Sequence, residues 1–222
     1  MLQVTNIHKK YGSLEVLKGI DMSIAAGEVV SIVGASGAGK STLLHILGTL
    51  DTADSGEVIF EGRNIAKLNA TDMARFRNRH IGFIFQFHNL LPEFTALENA
   101  SLPGLLAGRP EKEVKEQAEN LLDMLGLTSR LHHKPSELSG GEQQRTAVAR
   151  ALINSPQIIF ADEPSGNLDS KNAQELHDIF FRLRSEFNQT FVIVTHNEQL
   201  AEMADRTLVM KDGMIVQESH II

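Results

Sequence analysis

The chain of 222 residues, 42% hydrophobic and 22% charged, is long enough to bury a large core, and these values exclude a disordered chain, a collagen-like repeat and an integral membrane protein. Its 21 Lys and Arg against 28 Asp and Glu leave a net charge of −7, which speaks against a protein that coats nucleic acid, so an anionic ligand must be met by local features. With no cysteine there is no disulfide framework and no thiolate metal site. The N-terminal MLQVTNIHKKYG lacks the charged-then-apolar order of a signal peptide, and no run approaches the roughly 18 apolar residues of a membrane span, so the expectation is a protein kept in the cytosol.

Short apolar runs bounded by Gly, Asp or Pro alternate with segments of helical period, the pattern of a parallel sheet with crossover helices, and the predicted class is α/β. Residues 2–7 read as a peripheral strand and 29–33 as a strand buried on both faces. Straight after it, Gly34-Ala35-Ser36-Gly37-Ala38-Gly39-Lys40-Ser41 satisfies GxxxxGK[ST] and runs into a helical stretch from Thr42 to residue 47. In that setting the backbone N–H groups and the helix start cradle the α/β-phosphates of a nucleotide. Lys40 reaches the β/γ-phosphates and the Ser41 hydroxyl can ligate Mg²⁺. Residues 58–60 read as a second peripheral strand and 81–85 as a buried one. Arg75, Arg77 and Arg79 between them read as the solvated face of a short helix, and His45 as packing within the phosphate-loop helix.

Beyond residue 86 the pattern changes. Segments 97–106, 111–125 and 141–153 carry helical period with no strand between them, so an α-helical subdomain, 87–155, is expected to be inserted into a core made of 1–86 and 156–222, the whole forming a single domain over 1–222. Phe87, Leu90, Leu91 and Phe94 fit either the core of that subdomain or an exposed docking groove. Pro110 is expected at the first helical position, with Glu111 and Glu113 at the positive end of the dipole. Leu138-Ser139-Gly140-Gly141-Glu142-Gln143 opens the third helix: Ser139 can cap it, and the glycines leave N–H groups accessible to a phosphate. One nucleotide does not need two such helix starts, which suggests a site completed when two faces close over ATP. The other reading is an ordinary capped helix. His132 and His133 read as surface.

Residues 158–161 form a buried strand that ends in Asp162 and Glu163, at the sheet edge where open α/β folds place ligands. Asp162 is free to hold the Mg²⁺ shell, and Glu163 to orient and deprotonate a water attacking the γ-phosphate. The strand 191–194 leads to His196 at the same edge, a donor for the γ-phosphate. Lys211-Asp212-Gly213 between two apolar triplets reads as a hairpin.

In this order the motifs resemble those of the ATP-binding subunits of ABC transporters over nearly the whole chain. The resemblance implies a P-loop core sheet with an inserted helical subdomain and a peripheral antiparallel part. It makes Tyr11 the aromatic that stacks on adenine, residues 34–41 the Walker A loop, and Gln86 the Q-loop residue that senses the γ-phosphate and ligates Mg²⁺. Ser139, Gly140, Gly141 and Glu142 become a signature that contacts the ATP of a partner copy. Asp162 and Glu163 match Walker B with its catalytic glutamate, Asp169 the D-loop and His196 the switch histidine. The implied activity is Mg²⁺-dependent ATP hydrolysis by an ATP-dependent homodimer with no nucleic-acid partner. It would power integral-membrane permease subunits (LolC/LolE-like) from the cytoplasmic face of the inner membrane. Phe76-Arg77-Asn78, Gln86-Phe87-His88-Asn89-Leu90-Leu91-Pro92 and Phe94-Thr95-Ala96-Leu97-Glu98-Asn99 look most like the ATPases of lipoprotein-releasing transporters, with MacB-type efflux and FtsE-type cell-division ATPases as close relatives. Departures are the short segment 11–16, Ser165 in place of Thr and Asn197 in place of Asp. A DNA-maintenance ATPase of the same family would need long heptad or zinc-bearing insertions, which this text lacks.

Overall fold

The computed structural model describes residues 1–220. It opens with an antiparallel hairpin, β1 (Leu2–Tyr11) and β2 (Leu14–Ile24), followed by β3 (Val29–Val33), the glycine loop and α1 (Lys40–Leu47). Next come β4 (Ser55–Phe60), β5 (Arg63–Asn64), α2 (Ala70–His80) and β6 (Ile81–Phe85). Three helices follow with no strand between them: α3 (Ala96–Leu106), α4 (Glu111–Met124) and α5 (Gly140–Leu152). The chain continues through β7 (Ile158–Asp162), α6 (Ser170–Phe187), β8 (Thr190–Val194), α7 (Glu198–Met203), β9 (Arg206–Lys211) and β10 (Met214–His220). Among the described residues no helix is long and apolar enough to cross a membrane.

Two sheets result. Strands β2-β1-β4-β5 form an antiparallel one, and β10-β9-β3-β8-β7-β6 a second in which every pair is parallel except β9 with β10. The parallel order has a direct consequence for function. The chain leaves β3 into the glycine loop, β6 into Gln86, β7 into Glu163 and β8 toward His196, so four chemistry-bearing turns gather at the C-terminal edge of four neighbouring strands. The expected hairpin is present, with Asp212 at φ 50° and Gly213 at φ 83°, both in the left-handed region that a two-residue turn of matching twist requires. Its first strand, β9, also pairs with β3 and becomes an inner strand of the sheet.

Alternation along the strands sends successive residues to opposite faces. Ile158, Phe160, Val192 and Val194 pack with α1 and the antiparallel sheet, while Ile159, Ala161, Phe191 and Ile193 pack with α3 to α6 through Leu97, Val114, Val148 and Phe180. The helices of 87–155 thus share their apolar core with one sheet face. Pro110 stands one position before that expected: its carbonyl accepts the first bond, from Val114 N at 3.1 Å, and with ψ at 131° it lies outside the helix, which begins at Glu111.

Candidate active site

The phosphate loop is shaped by a close approach. A Cβ on Gly34 would lie 2.2 Å from Met210 O of β9, so no larger residue fits where the chain leaves β3. Ala35, Ser36 and Gly37 are exposed, and Ala38, Gly39 and Lys40 are buried. Helix α1 begins from Gly39 with no side-chain cap and no acid in its first turn, so the N–H groups of that turn have no carboxylate or hydroxyl to satisfy them. Lys40 Nζ donates to Gly34 O (2.8 Å) and Ala35 O (3.0 Å), which holds the ammonium over the loop. An uncapped helix start and a buried cation in one place form the anion site that the net charge does not supply.

Ser41 Oγ donates to Asp162 Oδ1 at 3.0 Å, joining the first turn of α1 to the end of β7. His45, expected as packing, is a correction: its Nε2 lies 3.8 Å from Asp162 Oδ2 and its side chain is 38% exposed. The signal for it is helical, because position i+4 from Ser41 shares its face. Ser41 and Asp162 offer adjacent hard oxygens, the donor set that suits Mg²⁺, which takes one or two protein oxygens and completes its shell with water and phosphate. Thr42, the next residue of α1, is half-buried.

Glu163 sits in the left-handed region at φ 47°, an uncommon conformation for a non-glycine residue and one found at functional sites. Its backbone N donates to Val194 O of β8 (2.9 Å), and its Oε2 accepts from His196 N (3.1 Å). Oε1 lies 3.1 Å from His196 Nε2 without hydrogen-bond alignment, and is otherwise buried with no donor. Burial pushes the Glu163 carboxyl up, against the opposing pull of His196 and Lys40. A buried carboxylate of raised basicity with one unpartnered oxygen is equipped to accept a proton from water.

Gln86 is not brought to the Ser41–Asp162 pair. Its Nε2 donates to Asn167 Oδ1 (3.1 Å), and Asn167 Nδ2 donates back to Gln86 O (3.2 Å). Asp169 caps α6 by accepting from Asn172 N and Asn172 Nδ2, both at 2.8 Å, and these bonds hold its carboxyl below the usual range. Tyr11 is half exposed. Its hydroxyl donates to Asp51 Oδ2 at 2.5 Å, Lys9 Nζ donates to Asp51 Oδ1 at 2.9 Å, and that ammonium stands 5.0 Å from the Tyr11 ring centroid. Partial burial opposes ionisation of Asp51, yet the bonds from Lys9 and Tyr11 hold its carboxyl below the usual range. This support for Tyr11 crosses 40 residues of sequence and left no mark in the text.

The second glycine-rich helix start lies on α5. Ser139 and Glu142 form a reciprocal capping box: Ser139 Oγ accepts from Glu142 N (3.3 Å) and Glu142 Oε2 from Ser139 N (2.8 Å). The other oxygen of Glu142 takes Arg130 Nε at 2.7 Å, and the carboxyl is drawn down to about 2, first by Arg130. Ser139 and Gly140 are exposed. A Cβ on Gly141 would fall 2.1 Å from Asn172 Oδ1, so glycine there lets α5 begin against α6.

Phe87 is 74% exposed, Leu91 and Phe94 are also exposed, and Leu90 is half-buried, so these side chains are not the core of the helical segment. Buried Asn99 clamps their loop, accepting from Leu91 N (2.8 Å) and donating to the carbonyls of Leu91, Phe94 and Thr95 at 3.0 to 3.1 Å. A neighbouring cleft of about 660 Å³ is lined by Arg79, Phe83, Phe85, Asn89, Leu106 and Arg150 among others, and by none of the four. Arg77 is not part of a free face, since it donates to Thr49 O at 2.6 Å.

A phosphate loop whose serine meets the carboxylate closing another strand of the same parallel sheet, two places away across β8, defines a P-loop nucleotide-binding ATPase. A family model described as ABC transporter matches residues 17–166, and the chain belongs to that family, as an ATP-hydrolysing, nucleotide-binding subunit. It is 62% identical over 216 residues to the lipoprotein-releasing system ATP-binding protein LolD of Cytophaga hutchinsonii, covering 97% of this chain and 99% of the relative. It is 53% identical over 218 residues to the LolD of Aquifex aeolicus, covering 98% and 97%. Among solved structures, the dimeric post-hydrolysis state of the ATP-binding cassette MJ0796 bound to ADP and Pi matches with a TM-score of 0.92 at 39% identity, covering 100% of this chain and 99% of that one.

Proposed function

We propose that this chain is the ATPase of a lipoprotein-releasing transporter, acting as an ATP-dependent homodimer on LolC/LolE-like permease subunits at the cytoplasmic face of the inner membrane. The observation that carries this reading is its likeness, at 62% identity over nearly the full length, to a protein named for that system.

In the proposed cycle the phosphate loop from Gly34 to Thr42 grips the phosphates through its N–H groups and Lys40, and Tyr11 stacks on the base from the Lys9–Asp51 support. Ser41 and Asp162 are the residues that would hold Mg²⁺, with Gln86 joining them once it leaves Asn167. Held there, Mg²⁺ would supply neutralisation of the phosphate charge. Glu163 takes the proton of the attacking water at Oε1, while His196 holds the carboxylate through Oε2 and presents its imidazole toward the departing phosphate. Ser139 and Gly141 of one protomer complete the site on the other, and Asp169 lies at that junction. Phe87, Leu90, Leu91 and Phe94, displayed by the Asn99 clamp beside the 660 Å³ cleft, are the proposed contact with the permease, and residues 87–155 the subdomain that carries it.

The test is reconstitution. Membranes bearing the permease and an acylated lipoprotein should release it to a soluble carrier when the chain and Mg-ATP are supplied. Hydrolysis without release would remove the lipoprotein reading and leave the ATPase standing.

A further inference from the structure

Glutamine 144 lies on α5, five residues beyond Ser139, and is fully buried. Its Nε2 donates to Pro164 O (2.6 Å) and to Phe85 O (3.4 Å). Because the amide nitrogen faces two carbonyls, Oε1 must accept, and it does so from His88 Nδ1, which therefore carries a hydrogen. One side chain thus bonds the end of β6, the loop after Gln86 and the residue that follows Glu163. Arg150, further along α5, donates to His88 O (2.7 Å) and Asn89 O (2.5 Å), where the backbone of both residues is left-handed. A primary amide supplies both donors and the acceptor here: Glu would face two carbonyls with a carboxylate, and Met would take the partner from Pro164 O and His88 Nδ1, while Phe85 O keeps its bond from His88 N at 3.1 Å.

We propose that Gln144 is a positioning residue for hydrolysis, which ties the helix of Ser139 and the loop of Gln86 to the turn that aims Glu163. The inference rests on Glu163 being the general base. Gln144 touches neither the phosphate loop nor Tyr11, so nucleotide capture is independent of it, whereas the placement of the base is not.

The experiment compares steady-state ATP hydrolysis by Gln144→Met, His88→Leu and the double variant of the full chain, with circular dichroism to establish folding and Glu163→Gln alongside. Gln144→Met should lower kcat by about tenfold to hundredfold and leave KM for ATP within about threefold, the mark of lost placement rather than lost binding. His88→Leu should move kcat in the same direction, and the double variant should fall no further than the worse single, since both remove one node. A folded Gln144→Met with kcat within about twofold of wild type, or with KM raised and kcat kept, overturns the proposal. So does an additive double variant. If Gln144→Met does not fold, unchanged kcat in His88→Leu overturns it. Undiminished hydrolysis by Glu163→Gln would instead sink the assignment of the base, a separate failure.

Discussion

The two glycine-rich helix starts differ in what they leave unsatisfied. At α1 no side chain caps the helix, no acid lies in its first turn, and a buried lysine adds positive charge, so the start is complete only with an anion. At α5 the box of Ser139 with Glu142 satisfies donors internally, and the Glu142 carboxylate, held by Arg130, faces the positive end of the dipole. The same sequence device, glycine at a helix start, leaves in one case donors that only an anion can satisfy and in the other a stable surface whose donors are met from within, as the proposed role in a partner's site requires. That division of labour fits a composite site better than two independent ones.

Loss of the first site carries the largest expected effect. Lys40→Ala removes the ammonium held over the loop and should abolish useful ATP binding and turnover, as read by nucleotide titration and phosphate release. Unchanged affinity would mean that α1 is not the primary site.

Glu163→Gln spares both helix starts and removes the base. Hydrolysis should fall about 10²- to 10⁴-fold while ATP still binds, and ATP should then trap a dimer visible by size-exclusion chromatography. The wild-type pH profile tests the same residue. Because burial raises the Glu163 carboxyl, activity should fall on acidification at a higher pH than an ordinary glutamate would give, and this limb should vanish from the residual activity of the variant.

Ser139→Arg addresses the second start. It should leave ATP affinity of the single chain within about threefold but prevent the trapped dimer and lower turnover by about tenfold or more, because the bulk stands where the partner's nucleotide must approach. Normal dimerisation of the Ser139→Arg, Glu163→Gln double variant would show that α5 is simply a capped helix.

Legibility follows the same line between local and distant. The phosphate loop, the carboxylates after β7 and the cap of α5 are contiguous in sequence, so spacing and residue type suffice to find them. Four of the five parallel strands, β3, β6, β7 and β8, are readable because burial on both faces leaves near-continuous apolar runs. Strand β2 was not legible: its pairing with β1 is broken by register shifts, and Gly19 interrupts it at φ 83°, so its apolar residues follow no clean period. The contacts of His45 with Asp162, Gln144 with His88 and Pro164, and Asp51 with Tyr11 join residues brought together by the sheet order. His45 at least shares the helix face of Ser41, four residues away, whereas no local pattern announces the other two.

The smallest effect sharpens the comparison most. Glu142→Gln keeps the capping box, since glutamine can fill it, but removes the charge that pairs with Arg130. At neutral pH the variant should lose about 1 kcal/mol of stability, a modest figure because the Arg130 side chain is 40% exposed and its pairing is screened. The pH dependence gives the sign. The Glu142 carboxyl is lowered on folding from 4.5 to about 2, so its contribution is fully present above pH 4.5 and is lost as the pH falls through 2. Denaturant unfolding of the two proteins should therefore show a gap that is constant from neutral pH down to about 5 and narrows below 4.5. If the gap instead persisted at pH 2, the Arg130 pair would not be what stabilises α5. Hydrolysis at pH 7 should stay within about threefold of wild type, because the Ser139 hydroxyl and the backbone N–H groups of the helix start are unaltered. A large loss of activity with the helix intact would mean that the charge at this start, and not its hydroxyl, serves the composite site.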